Sequence, residues 1–224
     1  MKILIINPNS DPVMTEAIQK TADNFIYGDY EVTCKLTPGA PKFIETYEDE
    51  LQAAPGMIQL VRKNLDFDAF IIACHDDPNL DVIKEITIKP VIGIGEASMK
   101  MASMIGHRFS VVSTSTHSIP IKEELVRKYH LQNVLASIRA PSEDMRKYSE
   151  ERMFLEVAKL AIEEDMAEVI VLGCAGMTGL DKYMQKALNV PVLDGVICAL
   201  IITMGFLKYG VSISKRRRFN PNWE

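Results

Sequence analysis

Two of the four cysteines in this chain stand where chemistry is usually done. Cys74 follows the apolar run Phe70-Ile71-Ile72-Ala73 and Cys174 follows Ile170-Val171-Leu172-Gly173, so each is the first residue after a buried strand and each precedes a turn. In open α/β sheets that carboxyl edge is where ligands bind. Two thiols facing one site suit the movement of a proton at a carbon stereocentre. One thiolate removes the proton, a planar carbanion forms, and the opposed thiol reprotonates the other face. The segment Cys174-Ala175-Gly176-Met177-Thr178-Gly179 is small and glycine-rich, so the backbone N–H groups of Ala175 and Gly176 can turn toward an anion. Bringing a thiol from its reference value of ~8.5 to ~7 takes about 2 kcal/mol, within reach of such donors. The first site, Cys74-His75-Asp76-Asp77-Pro78-Asn79, is more polar. His75 can steer or protonate its neighbour thiol, and Asp76 or Asp77 can cap the helix that follows. Cys34 alternates with Val32 and Leu36 on one strand and Cys198 lies in an apolar helix, so both read as small core hydrophobes.

The elements that must hold these residues read as one plan written twice. Strand-like runs at Ile3–Ile6, Val32–Leu36, Phe70–Ala73 and Val91–Ile94 alternate with segments of helical period. The first helix carries an Asp11-Pro12 start. The order restarts with strands at Phe109–Val112, Val134–Ile138, Val169–Leu172 and Val190–Leu193 and helices near 120–129 and 152–164. Lys89-Pro90-Val91-Ile92 matches Val190-Pro191-Val192-Leu193, and the spacings from Cys74 to Pro90 and from Cys174 to Pro191 differ by one residue. The expected fold class is α/β, two pseudo-symmetric lobes, each with a mainly parallel four-stranded sheet flanked by helices and with the active site in the cleft between them. Residues 1–97 plus 195–224 are expected to form the first lobe and residues 98–194 the second. A helix over 96–107 makes the crossover. Residues 38–55 fit no element and suggest a lid or an oligomer contact.

Composition narrows the partners. The chain has 224 residues, 47% of them hydrophobic and 25% charged, which excludes a disordered chain. A net charge of −5 argues against nucleic acid as a partner, and the one basic run, Lys215-Arg216-Arg217-Arg218, reads as a solvated tail. The most apolar stretch, Val196 to Leu207, is too short for the ~20 residues a membrane span needs, so no membrane partner is expected. The start runs from Met1 straight into Asn7-Pro8 without a secretory pattern, and four scattered cysteines make no disulfide framework. The cytoplasm is the expected location, a small molecule the expected substrate, and a homo-oligomer the expected assembly. Cys74, His75, Asp76 and Asp77 are all ligand types, but adjacent residues rarely converge on one ion and no paired Cys or His spacing supports them, so no metal is expected. A hydrolase pairing Cys74 with His75 is weaker still, because neighbours at a strand end point in different directions. A two-lobed small-molecule binding protein stays open, although it has no need of matched thiols.

Five segments in order carry a family resemblance: Asn7-Pro8-Asn9-Ser10, Ala73-Cys74-His75-Asp76-Asp77-Pro78, Pro90-Val91-Ile92-Gly93-Ile94-Gly95-Glu96-Ala97, Ile105-Gly106-His107-Arg108-Phe109-Ser110-Val111-Val112, and Leu172-Gly173-Cys174-Ala175-Gly176-Met177. Together they resemble the hydantoin racemase family of the aspartate/glutamate racemase superfamily, nearly end to end. The resemblance implies a cofactor-independent racemase with Cys74 and Cys174 as its catalytic pair. Its expected substrate is a 5-substituted hydantoin, allantoin included. It also implies substrate contacts from Asn9, from Ser113 and Thr114, and from the backbone after Cys174. Relatives in the superfamily racemise aspartate or glutamate, isomerise maleate or decarboxylate arylmalonates; the first two stand as alternatives, while retention of both cysteines argues against the decarboxylase branch. Many hydantoin racemases carry an aromatic residue and a glycine after the first cysteine, where this chain has His75 and Asp76. A free acidic amino acid would bring its carboxylates near Asp76 and Asp77 with no Lys or Arg beside them. Each such repulsion costs about 3 kcal/mol at ~5 Å and an effective dielectric of 20. A neutral ring avoids that cost.

Overall fold

The computed structural model describes residues 1–222. Among them the strands form two four-stranded sheets, each wholly parallel. The chain divides into two compact units, one from Met1 to Ile94 joined by the segment from Ala199 onward, the other from Gly95 to Cys198.

The first unit runs β1 (Lys2–Asn7), α1 (Pro12–Phe25), β2 (Glu31–Leu36), α2 (Tyr47–Lys63), β3 (Ala69–Ile72), α3 (Leu80–Ile86) and β4 (Val91–Gly93), with strand order β2-β1-β3-β4. The short, branched and fully buried sequences of β1 and β3 are those of strands covered on both faces. Alternate residues point to opposite sides, so Leu4 and Ile6 with Phe70 and Ile72 pack against Met57 and Val61 of α2 and Leu80 and Ile83 of α3. Asp11 caps α1 ahead of Pro12, accepting a hydrogen bond from Val13 N.

The second unit opens with α4 (Ile94–Ile105) and continues through β5 (Phe109–Val112), α5 (Ile119–Lys128), β6 (Leu135–Arg139), α6 (Glu150–Asp165), β7 (Val169–Leu172), α7 (Asp181–Leu188) and β8 (Val192–Leu193), with strand order β6-β5-β7-β8, and α8 (Gly195–Tyr209) begins in it and belongs to the first unit from Ala199. Val112, Ile170 and Leu172 face α6 and α7 across one core. Phe109, Val111, Val169 and Val171 face Met99 and Ala102 of α4 and Leu125 and Val126 of α5 across another. Both units thus carry the same strand order and the same turn of the chain at their third strand.

Three expectations need correction. The 38–55 segment holds the first half of a helix: Thr46 and Asp49 form a reciprocal capping box that starts α2 at Tyr47. Pro55 lies inside α2, where its missing N–H leaves the carbonyl of exposed Leu51 to solvent. The basic run is solvated at Arg216, Arg217 and Arg218, all exposed, but Lys215 at its start is tied down. Lys215 Nζ donates to the carbonyls of Lys84 and Glu85 at 2.7 and 2.8 Å, satisfying the open end of α3, and Arg218 pairs with Glu85. Strand β8 is shorter than its apolar run, because Val190 and Pro191 precede the first ladder pair, Ile170 with Val192.

Candidate active site

In each sheet the strand order reverses beside the first strand of the unit, so the crevice at the switch point opens at the carboxyl ends of β1 and β3 in one unit and of β5 and β7 in the other. Asn7 and Cys74 stand at the first, Ser113 and Cys174 at the second. One further hydrogen bond extends each ladder past its last strand residue: Ala73 N donates to Ile6 O at 2.9 Å, and Gly173 N donates to Val112 O at 2.8 Å. These bonds set each cysteine beside the end of its neighbouring strand.

The two turns then follow the same pattern. Asp77 N donates to Cys74 O and Leu80 N to Asp77 O. At the same offsets Met177 N donates to Cys174 O and Leu180 N to Met177 O. Cys74 and Cys174 are both half-buried and neither forms a disulfide. Cys174 is extended, at φ −154° and ψ 142°, and its Sγ accepts a hydrogen bond from Gly176 N at 3.3 Å. A sulfur that receives a backbone N–H is stabilised as the anion. Ala175 and Gly176 form a single 3-10 turn, with Ala175 buried. His75 is buried at 1% exposure. Neither aspartate caps α3: its N-cap is Asn79, whose Nδ2 donates instead to Glu50 O at 2.7 Å. Asp77, at φ 48° and buried, turns its carboxylate onto Gly93.

The expected substrate-contacting residues differ in how they are held. Asn9 is buried, and its Oδ1 accepts from Asn7 Nδ2 at 2.7 Å and from Asp11 N at 2.9 Å, while its Nδ2 meets the Met14 thioether. Its side chain builds the β1–α1 turn. Thr37 completes this edge, bonding Asn7 O through Oγ1 and Asn9 O through N. Ser113 is fully buried, 2.5 Å from Ser118 Oγ, which in turn donates to Ser115 O. Ser113 Oγ is then the donor to Ser118 and keeps acceptor capacity. Thr114 is exposed and lines a cavity of about 420 Å³ together with Thr116, Ser142, Arg146 and Tyr148.

The remaining thiols stand away from the switch points: Cys198 is buried as expected of a core residue, whereas Cys34, on the partly buried strand β2, is only half-buried. Burial pushes Cys34 up to about 12. Cys198 is likewise pushed up to about 12, by burial first and then by the charges of Asp194 and Asp181. Among the described residues no group of three His, Cys, Asp or Glu side chains is arranged to hold a metal ion, and no helix is long and apolar enough to cross a membrane.

Sequence reasoning passed over Asp194 and Thr178. Asp194 is buried at 3% exposure and accepts from Thr178 Oγ1 at 2.6 Å, Gly179 N at 3.0 Å and Val196 N at 2.8 Å. An aspartate immediately before a long apolar helix is an N-cap signal that points to it.

Fold and site together define a duplicated α/β protein with one cysteine at each switch point. The Asp/Glu/Hydantoin racemase family model matches residues 3–201, and the chain belongs to this family. It is an isomerase of the racemase kind. It is 38% identical over 222 residues to a hydantoin racemase of Rhizobium meliloti, covering 96% of this chain and 92% of that protein. It is 36% identical to a hydantoin racemase of Pseudomonas sp. (strain NS671), covering 98% and 91%. A solved allantoin racemase from Pseudomonas fluorescens superposes with a TM-score of 0.93 at 31% identity, covering all of this chain and 98% of that one.

Proposed function

We propose that this chain racemises 5-substituted hydantoins, allantoin among them, with Cys74 and Cys174 as a two-thiol acid/base pair and no cofactor. The observation that carries the reading is the repeat of one turn after β3 and β7, each beginning with a half-buried cysteine at a switch point. One thiolate takes the C5 proton, forming an S–H bond as the C–H bond breaks. The electron pair moves onto the ring carbonyl oxygen. The other thiol then gives its proton to the opposite face of C5, so the product is the mirror image and the two thiols have exchanged protonation states. The carbonyl is the electron sink, which is why the reaction calls for no cofactor. For the opposite enantiomer the roles reverse.

Backbone N–H groups at Ala175 and Gly176, with Ser113, Thr114, Asn9 and His75, are the groups proposed to hold the ring and its oxygens. The cavity beside Thr114 is proposed to take the C5 substituent. Its lining mixes hydroxyls with Arg146 and Glu143, charges of both signs, which suits a neutral hydrogen-bonding group such as a ureido chain. A second free carboxylate on the substrate would meet Asp76 beside Cys74, which favours a neutral ring over free aspartate or glutamate.

Deuterium incorporation at C5 and loss of optical rotation test this together. Allantoin, 5-benzylhydantoin, aspartate and glutamate are compared against enzyme-free blanks for the wild type, Cys74→Ser and Cys174→Ser. The expected result is racemisation of the hydantoins alone, reduced at least about 100-fold in each variant. Undiminished racemisation in either variant refutes the two-thiol mechanism. Turnover of the acidic amino acids in place of hydantoins refutes the substrate.

A further inference from the structure

We propose that Asp194 is a positioning residue for Cys174, clamping the far end of the loop whose near end is fixed by the sheet. The role rests on reading Cys174 as an acid/base group. The near end is the Gly173 N to Val112 O bond. From there the loop bends through the Cys174 O to Met177 N and Ala175 O to Thr178 N bonds, and Gly176 N reaches back to the sulfur. At its far end Thr178 Oγ1 and Gly179 N both donate to Asp194 Oδ2. The other oxygen, Oδ1, accepts from Val196 N at 2.8 Å and Ile197 N at 3.4 Å, the first turn of α8. A single buried carboxylate thus joins the cysteine loop to a 15-residue helix. Gly179 turns the chain away at φ +86°, where a side chain would be strained. The loop that aims Gly176 N at Cys174 Sγ is therefore held at both ends.

The first unit contains the matching device, built from the other direction. Ladder register pairs Ile71 with Ile92 and Val171 with Leu193, so Gly93 is the counterpart of Asp194. A Cβ on Gly93 would collide with the Asp77 carboxylate. In one unit the strand end supplies the carboxylate to the loop. In the other the loop, three residues after Cys74, supplies it to a strand end left bare by glycine. A carboxylate thus meets the junction of the cysteine loop and the end of the fourth strand in both units, although the sequence positions that provide it do not correspond.

Thr178 gives the cleanest test, because Thr178→Val removes one tie at constant shape and leaves the charge of Asp194 in place, while Thr178→Ser restores the hydroxyl. The probe is iodoacetamide, with labelling of Cys174 followed by peptide mass spectrometry from pH 5 to 10 and without substrate. Melting temperature and far-UV circular dichroism establish that each variant is folded. Thr178→Val is expected to raise the pH of half-maximal Cys174 labelling by about 0.5–1, the loss of roughly one hydrogen bond's worth of support to the anion, which is about three- to tenfold slower labelling at neutral pH. Thr178→Ser is expected to match the wild type. Asp194→Asn is expected to shift the midpoint the same way, although removal of a negative charge alone would lower it. Wild-type labelling in Thr178→Val, or a lowered midpoint in Asp194→Asn, overturns the positioning role. Labelling is read without turnover, so this result stands apart from failure of the racemase reading.

Discussion

Gly173 is the point at which one methyl group should separate activity from folding. It lies between the end of β7 and the end of β5, and a Cβ built there meets Val112 O at 2.6 Å and Val111 Cγ1 at 2.9 Å. Contacts that close are all but absent for real Cβ atoms, so in Gly173→Ala the two strand ends must part by about 0.4 Å to clear 3.0 Å and by about 0.8 Å to reach an ordinary contact at 3.4 Å. The bond that resists is Gly173 N to Val112 O, 2.8 Å long, the same bond that sets Cys174 beside Ser113. Overpacking of this kind costs about 1–3 kcal/mol of stability. A displacement near 1 Å at a reacting group costs about 100-fold in rate. Urea unfolding and C5 deuterium exchange, measured on the same preparation, should show a modest fall in stability, a 10- to 100-fold fall in kcat and little change in KM. The first unit supplies the control. Ala73 already carries a Cβ at the equivalent place, its N–H bonded to Ile6 O, so Ala73→Gly should lose only about 0.5–1 kcal/mol of stability and keep its rate. If Gly173→Ala turns over like the wild type, the strand backbone does not set the position of Cys174, and the geometry argued for the second thiol is wrong.

Two further outcomes follow from the charges. Arg139 at the end of β6 grips Asp165 through two bonds of 2.5 and 2.8 Å and Glu164 through a third of 2.6 Å, and the guanidinium holds the Asp165 carboxyl below the usual carboxylate range. A lowered value in the folded state means stability that is present above the unfolded value, near 4, and lost as pH falls through the folded one. Thermal melts from pH 7 down to pH 2 should therefore show Arg139→Gln less stable at neutral pH by about 1–2 kcal/mol and converging on the wild type in acid, and parallel curves would contradict this. Cys198, buried and with its thiol pushed up to about 12, should label with iodoacetamide at pH 8 about 1000-fold more slowly than a free cysteine of ~8.5. Ready labelling of Cys198 in the folded protein would place it outside the core.

What the sequence made legible and what it hid divide along physical lines. The strands that precede the cysteines, with their neighbours β1 and β5, are short runs rich in branched residues and largely buried on both faces, too short for a buried helix, so β1, β3, β5 and β7 can be read off directly. The start of α2 was hidden because Pro55 argues against a helix, whereas the Thr46–Asp49 box that argues for it lies nine residues earlier among polar residues. Within the basic run Lys215–Arg218, Lys215 looks solvated because nothing in four charged residues reveals that the carbonyls at the end of α3 need a donor.

The least legible feature bears most on the site. Set in register, the two halves place Gly93 against Asp194 and Asp77 against Met177, two mismatches that read as divergence of a duplicated core. In space they compensate: the carboxylate missing from Gly93 is supplied by Asp77, and Met177 is buried among Ile170, Leu172 and Met184 while Asp194 reaches the loop from the strand. Asp194, buried and accepting from Gly179 N and Val196 N, is costly to lose, because removing it leaves those N–H donors unsatisfied. The acid is carried by different positions in the two units, at Asp194 on the strand end in one and at Asp77 on the loop in the other. Gly93 follows from the same constraint: once Asp77 supplies the carboxylate, the strand end has room for no side chain at all.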